Sequence, residues 1–292
     1  MDTITHTLFG CTIYGAFKNK KESKQYNRAL LLSSIGASQI PDIDVISQFW
    51  DTEGLYQMWH RGITHSVFLT PIWAFLFFML SWFLFGIKDK RIYFISLLAV
   101  FIHVSSDLFN AWGTGYLEPF YNTRITFGTI PIIDFVFWIT ILTAFIVSKR
   151  PQFNSNKVYQ IAWIVMLLHV IVQSAYGLYI YNQYDSKYSQ VALSAGFIPF
   201  HFTVIGKQEQ TIDIIETIMF ADDKVQYSIQ SNEQADLEVL FEKRPEAKTL
   251  YEWAPFVVIV DDDQYLGLYD PRFYRDGQSF LFEYIEKNDL NK

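Results

Sequence analysis

The chain has 292 residues, of which 51% are hydrophobic and 18% aromatic, with a formal net charge of -7. That apolar share is high for a soluble enzyme, and no basic patch interleaved with aromatics marks a nucleic-acid surface, so DNA or RNA binding is not expected. The single cysteine, Cys11, excludes a disulfide framework and a cysteine zinc cluster, leaving histidine and carboxylate as the only strong metal ligands.

Polarity divides the chain. Residues 1–181 contain nearly all the long apolar runs, whereas 182–292 carries 20 acidic against 10 basic side chains. Two domains are expected: a transmembrane helical domain over 1–181 and an extramembrane α+β or β-rich domain over 182–292. The first residues have no basic region and no small-residue cleavage site after their apolar run, so they do not read as a removable signal peptide.

A helix needs roughly 20 apolar residues to cross the hydrocarbon core. In chain order, residues 4–17 and 29–40 fall short of that, and read as tilted crossings, a re-entrant pair, or helices buried among others. Residues 66–87 make a clear span. Residues 92–109 are long enough but hold His103 and Asp107; 132–148 also qualifies as a span, at the short end, and 159–181 is clear again. Eleven of the 13 basic residues before position 182 fall in three connections, at 18–28, 88–91 and 149–157. Cytoplasmic loops are enriched in Lys and Arg, and six crossings place all three connections on that side. The loops 41–65 and 110–131 then face outward with the C-terminal domain. The expected fold is mainly α: a polytopic membrane bundle of about four to six helices in the lipid bilayer, followed by a small β-rich soluble domain.

Ionisable groups near apolar segments are costly to bury and usually have a partner or a function. His6 opens the first apolar segment, Pro41-Asp42-Ile43-Asp44 closes the second, His60-Arg61-Gly62-Ile63-Thr64-His65 leads into the third, and His103 and Asp107 end the fourth. In the six-crossing arrangement all of these lie at the outward helix ends. His103 and Asp107, at i and i+4, share one helical face, which suits two ligands of one ion, a carboxylate orienting a ligating imidazole, or a plain helix contact. Asp42 and Asp44 can bridge or share divalent ions, or Asp42 can cap a turn. His60 and His65 reach one metal only if the chain near Gly62 is irregular, and Arg61 between them suits a substrate phosphate or carboxylate. The ligand chemistry fits zinc, with manganese the alternative if carboxylates dominate. A bound water could then attack an ester or phosphoester, with Asp42 or Asp44 as general base if not engaged by metal.

Residues 1–6, the Asp42/Asp44 pair, the 60–66 segment and the His103-to-Asp107 spacing together resemble the membrane-bound metal-dependent hydrolases of the YdjM type. Leu268-Tyr269-Asp270-Pro271-Arg272-Phe273 is similar to the tail domain of longer members. The resemblance implies a multi-pass protein of the bacterial cytoplasmic (inner) membrane, a divalent metal held among His6, Asp42, Asp44, His60, His65, His103 and Asp107, and hydrolase activity. A looser similarity to the zinc phospholipase C and P1-type nuclease group points to small-molecule or lipid-linked phosphoester substrates. The competing readings are a non-catalytic scaffold with a structural metal and a metal- or proton-linked transporter. The latter expects charges through the depth of the bundle and an internal repeat, and neither is evident.

Elsewhere, the loop over 110–131 with Glu118, Arg124 and Trp112 reads as an aromatic belt or a cover over the site. Asp134 reads as an outer-sphere carboxylate or the N-terminal acid of the next helix, and mid-span His169 as a helix–helix hydrogen bond. Residues 202–205, 210–215, 224–229 and 256–260 read as short strands. Asp261-Asp262-Asp263 lacks the glycine and distal glutamate of a calcium loop and reads as an exposed acidic turn.

Overall fold

The computed structural model describes residues 1–290. Its helices are α1 (Thr3–Phe17), α2 (Lys24–Ala37), α3 (Tyr56–Trp59), α4 (Thr70–Phe85), α5 (Lys90–Ser106), α6 (Phe135–Ser148) and α7 (Ser155–Asp185). Strands β1 (Gln190–Ala195), β2 (His201–Gln208), β3 (Thr211–Ile218) and β4 (Lys224–Gln230) follow, then helices α8 (Glu238–Lys243) and α9 (Pro245–Trp253). The last strands are β5 (Val258–Asp261), β6 (Tyr265–Tyr269), β7 (Tyr274–Arg275), β8 (Gln278–Ser279) and β9 (Phe282–Glu286). A helical N-terminal region is thus followed by a β-sheet region, as expected.

Helix starts are written into the sequence as capping residues. The Asp2 carboxylate accepts from the backbone N–H of Ile4 and Thr5 at 3.0 and 3.1 Å, Ser23 Oγ accepts from Tyr26 at 3.0 Å, and Asp89 Oδ1 accepts from Arg91 at 2.8 Å. Gly86 ends α4 at φ 70°, the left-handed conformation that glycine adopts without a Cβ penalty.

Among the described residues, three helical stretches are long and apolar enough to cross a membrane: Val67–Phe85, Lys90–Phe109 and Ser155–Asp185. A fourth crossing arises if Lys24–Ala37 and the 3-10 helix Ile40–Phe49, bent by 54°, are taken as one broken span. The remaining apolar helices, α1 with 15 residues and α6 with 14, rise only about 21–23 Å at 1.5 Å per residue, short of a hydrocarbon core of about 30 Å.

The chain forms two compact units, the first made of Met1–Asp44 with Arg61–Ser174, and the second of Val45–His60 with Ala175 onward. The boundary expected at Tyr181 therefore falls within α7, and Val45–His60 joins the second unit instead of the first. In the first unit, Ile13, Leu30, Phe77, Ile92, Val100 and Val104 form one buried cluster, and Phe9, Ile130, Phe137, Ile141 and Met166 form another. Close helix approach needs small residues. A Cβ added to Gly10 would lie 2.7 Å from Ile35 Cα, so α1 and α2 meet there backbone to backbone.

In the second unit β1, β2, β3 and β4 form an antiparallel sheet in that order, and β5, β6 and β9 form a second. The four expected short strands correspond to β2, β3, β4 and β5. Ile205, Ile212, Phe256, Val258 and Tyr269 share a core. Helix α3 packs on α9, because Gly54, at φ 67°, leaves room for Glu246. Asp270 and Arg272 are buried together, with the guanidinium bonded to both carboxylate oxygens and stacked 4.9 Å from the Trp253 ring. In the 261–263 turn, backbone N–H groups of Tyr265 and Gln264 bond Asp262 and hold its carboxyl below the usual range.

Candidate metal centre

Four segments of the first unit bring donor atoms to one point. Asp42 sits on the 3-10 helix after Pro41, His65 ends a short 3-10 turn at Ile63–His65, His103 lies in the last turn of α5, and Asp107 follows it. One donor atom from each lies within 4.8 Å of the other three. His65, His103 and Asp107 side chains are fully buried, whereas the Asp42 side chain keeps 16% of its surface exposed.

The hydrogen-bond network assigns the imidazole tautomers. His103 Nδ1 lies 2.7 Å from the Ser38 carbonyl, which can only accept, so Nδ1 carries the proton and Nε2 a lone pair. Thr64 Oγ1 donates its one proton to Asp44 Oδ2 at 2.9 Å and therefore accepts from His65 Nδ1 at 3.1 Å. His65 Nε2 is thus also a lone pair, and the two Nε2 atoms face each other at 3.1 Å. Two lone pairs and two carboxylates turned toward each other repel unless a cation lies between them.

The distances fit one. From His65 Nε2 to Asp42 Oδ1 and Asp107 Oδ2 is 3.3 Å each; from His103 Nε2 the same oxygens lie at 3.5 and 3.6 Å. A tetrahedral zinc with bonds of about 2.0–2.1 Å has ligand–ligand edges of about 3.3 Å. Asp107 Oδ2, although buried, has no hydrogen-bond partner among the described residues. The donor set, two imidazoles and two carboxylates, suits zinc or manganese and offers no soft sulfur.

The other expected site residues take different places. Asp44 Oδ2 accepts from Arg61 N at 2.8 Å and Thr64 Oγ1 at 2.9 Å, and lies 3.3 Å from His65 Nδ1. It is the carboxylate that orients the His65 ring. Arg61, at φ 57°, is buried and bonds Asn110 Oδ1 at 2.7 Å and the Met1 carbonyl at 2.9 Å, with its Nε 3.5 Å from Asp107 Oδ2. Its guanidinium faces a site carboxylate. His6 stacks on His103 with ring centroids 3.6 Å apart, and its Nε2 lies 3.3 Å from Asp107 Oδ1, the oxygen that also meets the Met1 ammonium. Among the described residues neither His6 ring nitrogen has a hydrogen-bond partner.

His60 is not among the four grouped donors. It caps α3 and stacks on Tyr56 with ring centroids 5.3 Å apart. Asp134 caps α6 through Oδ1, which accepts from Val136 and Phe137, and its Oδ2 lies 2.9 Å from His169 Nε2. Both oxygens are engaged there, and His169 has the hydrogen bond between helices that its sequence position suggested. The loop over 110–131 is pinned to the segment carrying His65: Gly115 N donates to Arg61 O at 2.7 Å and Val67 N to Tyr116 O at 3.0 Å. Burial in this loop pushes the Glu118 carboxyl up against the pull of Arg124. Ser38, Thr64 and Asn110, which orient the site, carried no signal in the sequence. A backbone carbonyl, a hydroxyl and an amide gain such roles only from position.

The family described as YdjM inner membrane protein matches residues 1–183. The chain is 29% identical over 148 residues to the uncharacterized protein YfhP of Bacillus subtilis (strain 168), covering 49% of this chain and 45% of that protein. The chain thus spans less than half the length of that relative. No solved structure matches.

Proposed function

We propose a function from one premise: the chain belongs to the YdjM inner membrane protein family. It is a membrane-embedded metal-dependent hydrolase that uses zinc and acts on a phosphoester or lipid-linked substrate at the outer membrane face. The observation that carries this reading is the buried pair of imidazoles and pair of carboxylates, closed on three members and reachable at Asp42. A divalent ion bound there would supply Lewis acidity toward a phosphoryl oxygen and would acidify a water.

The protein's part is to hold the ligands and control access. Asp44 and the Ser38 carbonyl fix both imidazoles with Nε2 toward the centre, and Arg61 faces Asp107. Asp42, partly solvated, marks the side from which water and substrate approach. The outer-face assignment requires α1 and α6, 15 and 14 residues long, to cross along with the three longer stretches and the bent pair, because only six crossings put the three basic connections together in the cytoplasm and the C-terminal domain outside.

A second reading has its own support. Four protein ligands fill a tetrahedral zinc, as in structural sites, whereas catalytic zinc keeps an open position. The ion would then stabilise the bundle end without turnover.

Elemental analysis of the detergent-purified full chain, beside Asp42→Asn and His103→Ala/Asp107→Ala, tests the metal. Stoichiometric zinc or manganese in the wild type, absent from the double variant, is expected. A panel of lipid and soluble phosphoesters, assayed on metal-stripped and reloaded protein, then separates the readings. Turnover that returns with metal supports the hydrolase, and metal-dependent stability without turnover supports the structural ion. A reporter at the C-terminus that is active only outside the cytoplasm tests sidedness.

A further inference from the structure

We infer that the second unit rests on the membrane itself through two hairpin tips, which insert apolar side chains at the level of the lipid headgroups. In the four-stranded sheet, the β1–β2 turn (residues 196–200) and the β3–β4 turn (residues 219–223) lie at the same end, because the strands are antiparallel and consecutive. They touch: Met219 N donates to the Phe200 carbonyl at 3.2 Å. Together they present Ile198 at 66% exposed, Phe220 at 99%, Phe197 and Ile218. Phe200 and Phe220 both adopt positive φ, at 63° and 69°, a conformation that bulky side chains rarely accept, and in Phe220 it accompanies a ring held out from the sheet.

The depth of this end follows from α7. Tyr176 packs on Phe200 and Phe202 with ring centroids 5.6 and 5.9 Å away. Tyr176 lies 19 residues after Lys157, the last basic residue before the apolar stretch. At 1.5 Å per residue that is about 28 Å along the helix, close to the thickness of a hydrocarbon core. Tyr176 and its neighbour Tyr179 therefore mark the interface where this helix leaves the bilayer, the level at which tyrosine concentrates. The β1–β2 tip packs on Tyr176 through Phe200, and the β3–β4 tip is held beside it by the Met219–Phe200 hydrogen bond, so Ile198 and Phe220 meet lipid near that level.

The contact is hydrophobic. Asp222 and Asp223 follow Phe220, and Tyr184 donates to Asp223 Oδ2 at 2.6 Å, so anionic headgroups are not attracted to this edge. The docking is then insensitive to salt and does not need anionic lipid. The opposite end of the sheet, the β2–β3 turn at Glu209 and Gln210, is polar and exposed, and serves as an internal reference.

The test uses the full chain in phosphatidylcholine nanodiscs, on a Cys11→Ser background, with an environment-sensitive fluorophore at Phe220→Cys, Ile198→Cys or Glu209→Cys. Labels at 220 and 198 should be quenched by headgroup-level nitroxide lipids and severalfold less accessible to iodide than the label at 209. Added salt, or exchange of part of the lipid for phosphatidylglycerol, should leave that contrast unchanged. Iodide access at 220 equal to that at 209 would overturn the inference. So would protection from iodide without nitroxide quenching, which would assign the tips to a protein partner or a second copy.

Discussion

Replacing Asp44 by asparagine separates a ligand from a residue that orients one. The Asp44 Oδ2 atom holds Arg61 N, Thr64 Oγ1 and His65 Nδ1 within 2.8–3.3 Å, and none of the four grouped donor atoms belongs to it. The amide of Asp44→Asn keeps an oxygen that can accept from Arg61 and Thr64, but removes the charge that makes His65 Nε2 more basic and locks its ring. Loss of such an outer carboxylate typically weakens metal binding about 10- to 100-fold, equivalent to about 1.4–2.7 kcal/mol. Removal of a direct ligand, as in His65→Ala, should abolish stoichiometric binding. The assay is a competition titration of zinc against a chelator with the protein in detergent. Wild-type affinity for Asp44→Asn would refute the orienting role, and complete loss of binding in a folded variant would make Asp44 a ligand.

Three further outcomes follow from packing. Gly10→Ala drives a Cβ into the α2 backbone at Ile35 and should lower stability by about 1–3 kcal/mol, read as a fall in thermal midpoint in detergent. Asp134→Asn and His169→Gln should couple in a double-mutant cycle by about 0.5–2 kcal/mol, since each partner is bonded to the other within the bundle, and additive effects would show the 2.9 Å contact to be idle. In the second unit, Arg272→Lys loses the two-pronged bond to Asp270 and the stacking on Trp253. It should cost about 1–3 kcal/mol in chemical unfolding, whereas an exposed arginine such as Arg275 should tolerate the same change.

Several features were legible in one dimension because their causes are local. Span length depends only on a run of apolar residues, and Val67–Phe85, Lys90–Phe109 and Ser155–Asp185 match three of the segments read from composition, whereas 132–148, also read as a span, forms the 14-residue α6. Capping by Asp2, Ser23 and Asp89 depends on a side chain within three residues of the N–H it serves. The i, i+4 spacing put His103 and Asp107 on one face of α5, where their donor atoms lie 3.6 Å apart. Scarcity of other ligands in an apolar chain pointed to the same few histidines and aspartates.

The convergence of those groups belongs to tertiary structure. Asp42, His65 and His103 are far apart in the chain, and only packing of α2 against α4 and α5 brings their segments to one place. Sequence spacing treated His60 and His65 alike, but only His65 is one of the four grouped donors, while His60 stacks on Tyr56. Asp42 and Asp44 differ by one residue and were equivalent candidates. In three dimensions one offers an oxygen to the grouped donors and the other steadies an imidazole. The choice of ring nitrogen was decided by a carbonyl at Ser38 and a hydroxyl at Thr64, groups that nearly every sequence contains. What residue types can do is a property of the chain, but what each one does is set by the partner the fold puts within about 3 Å.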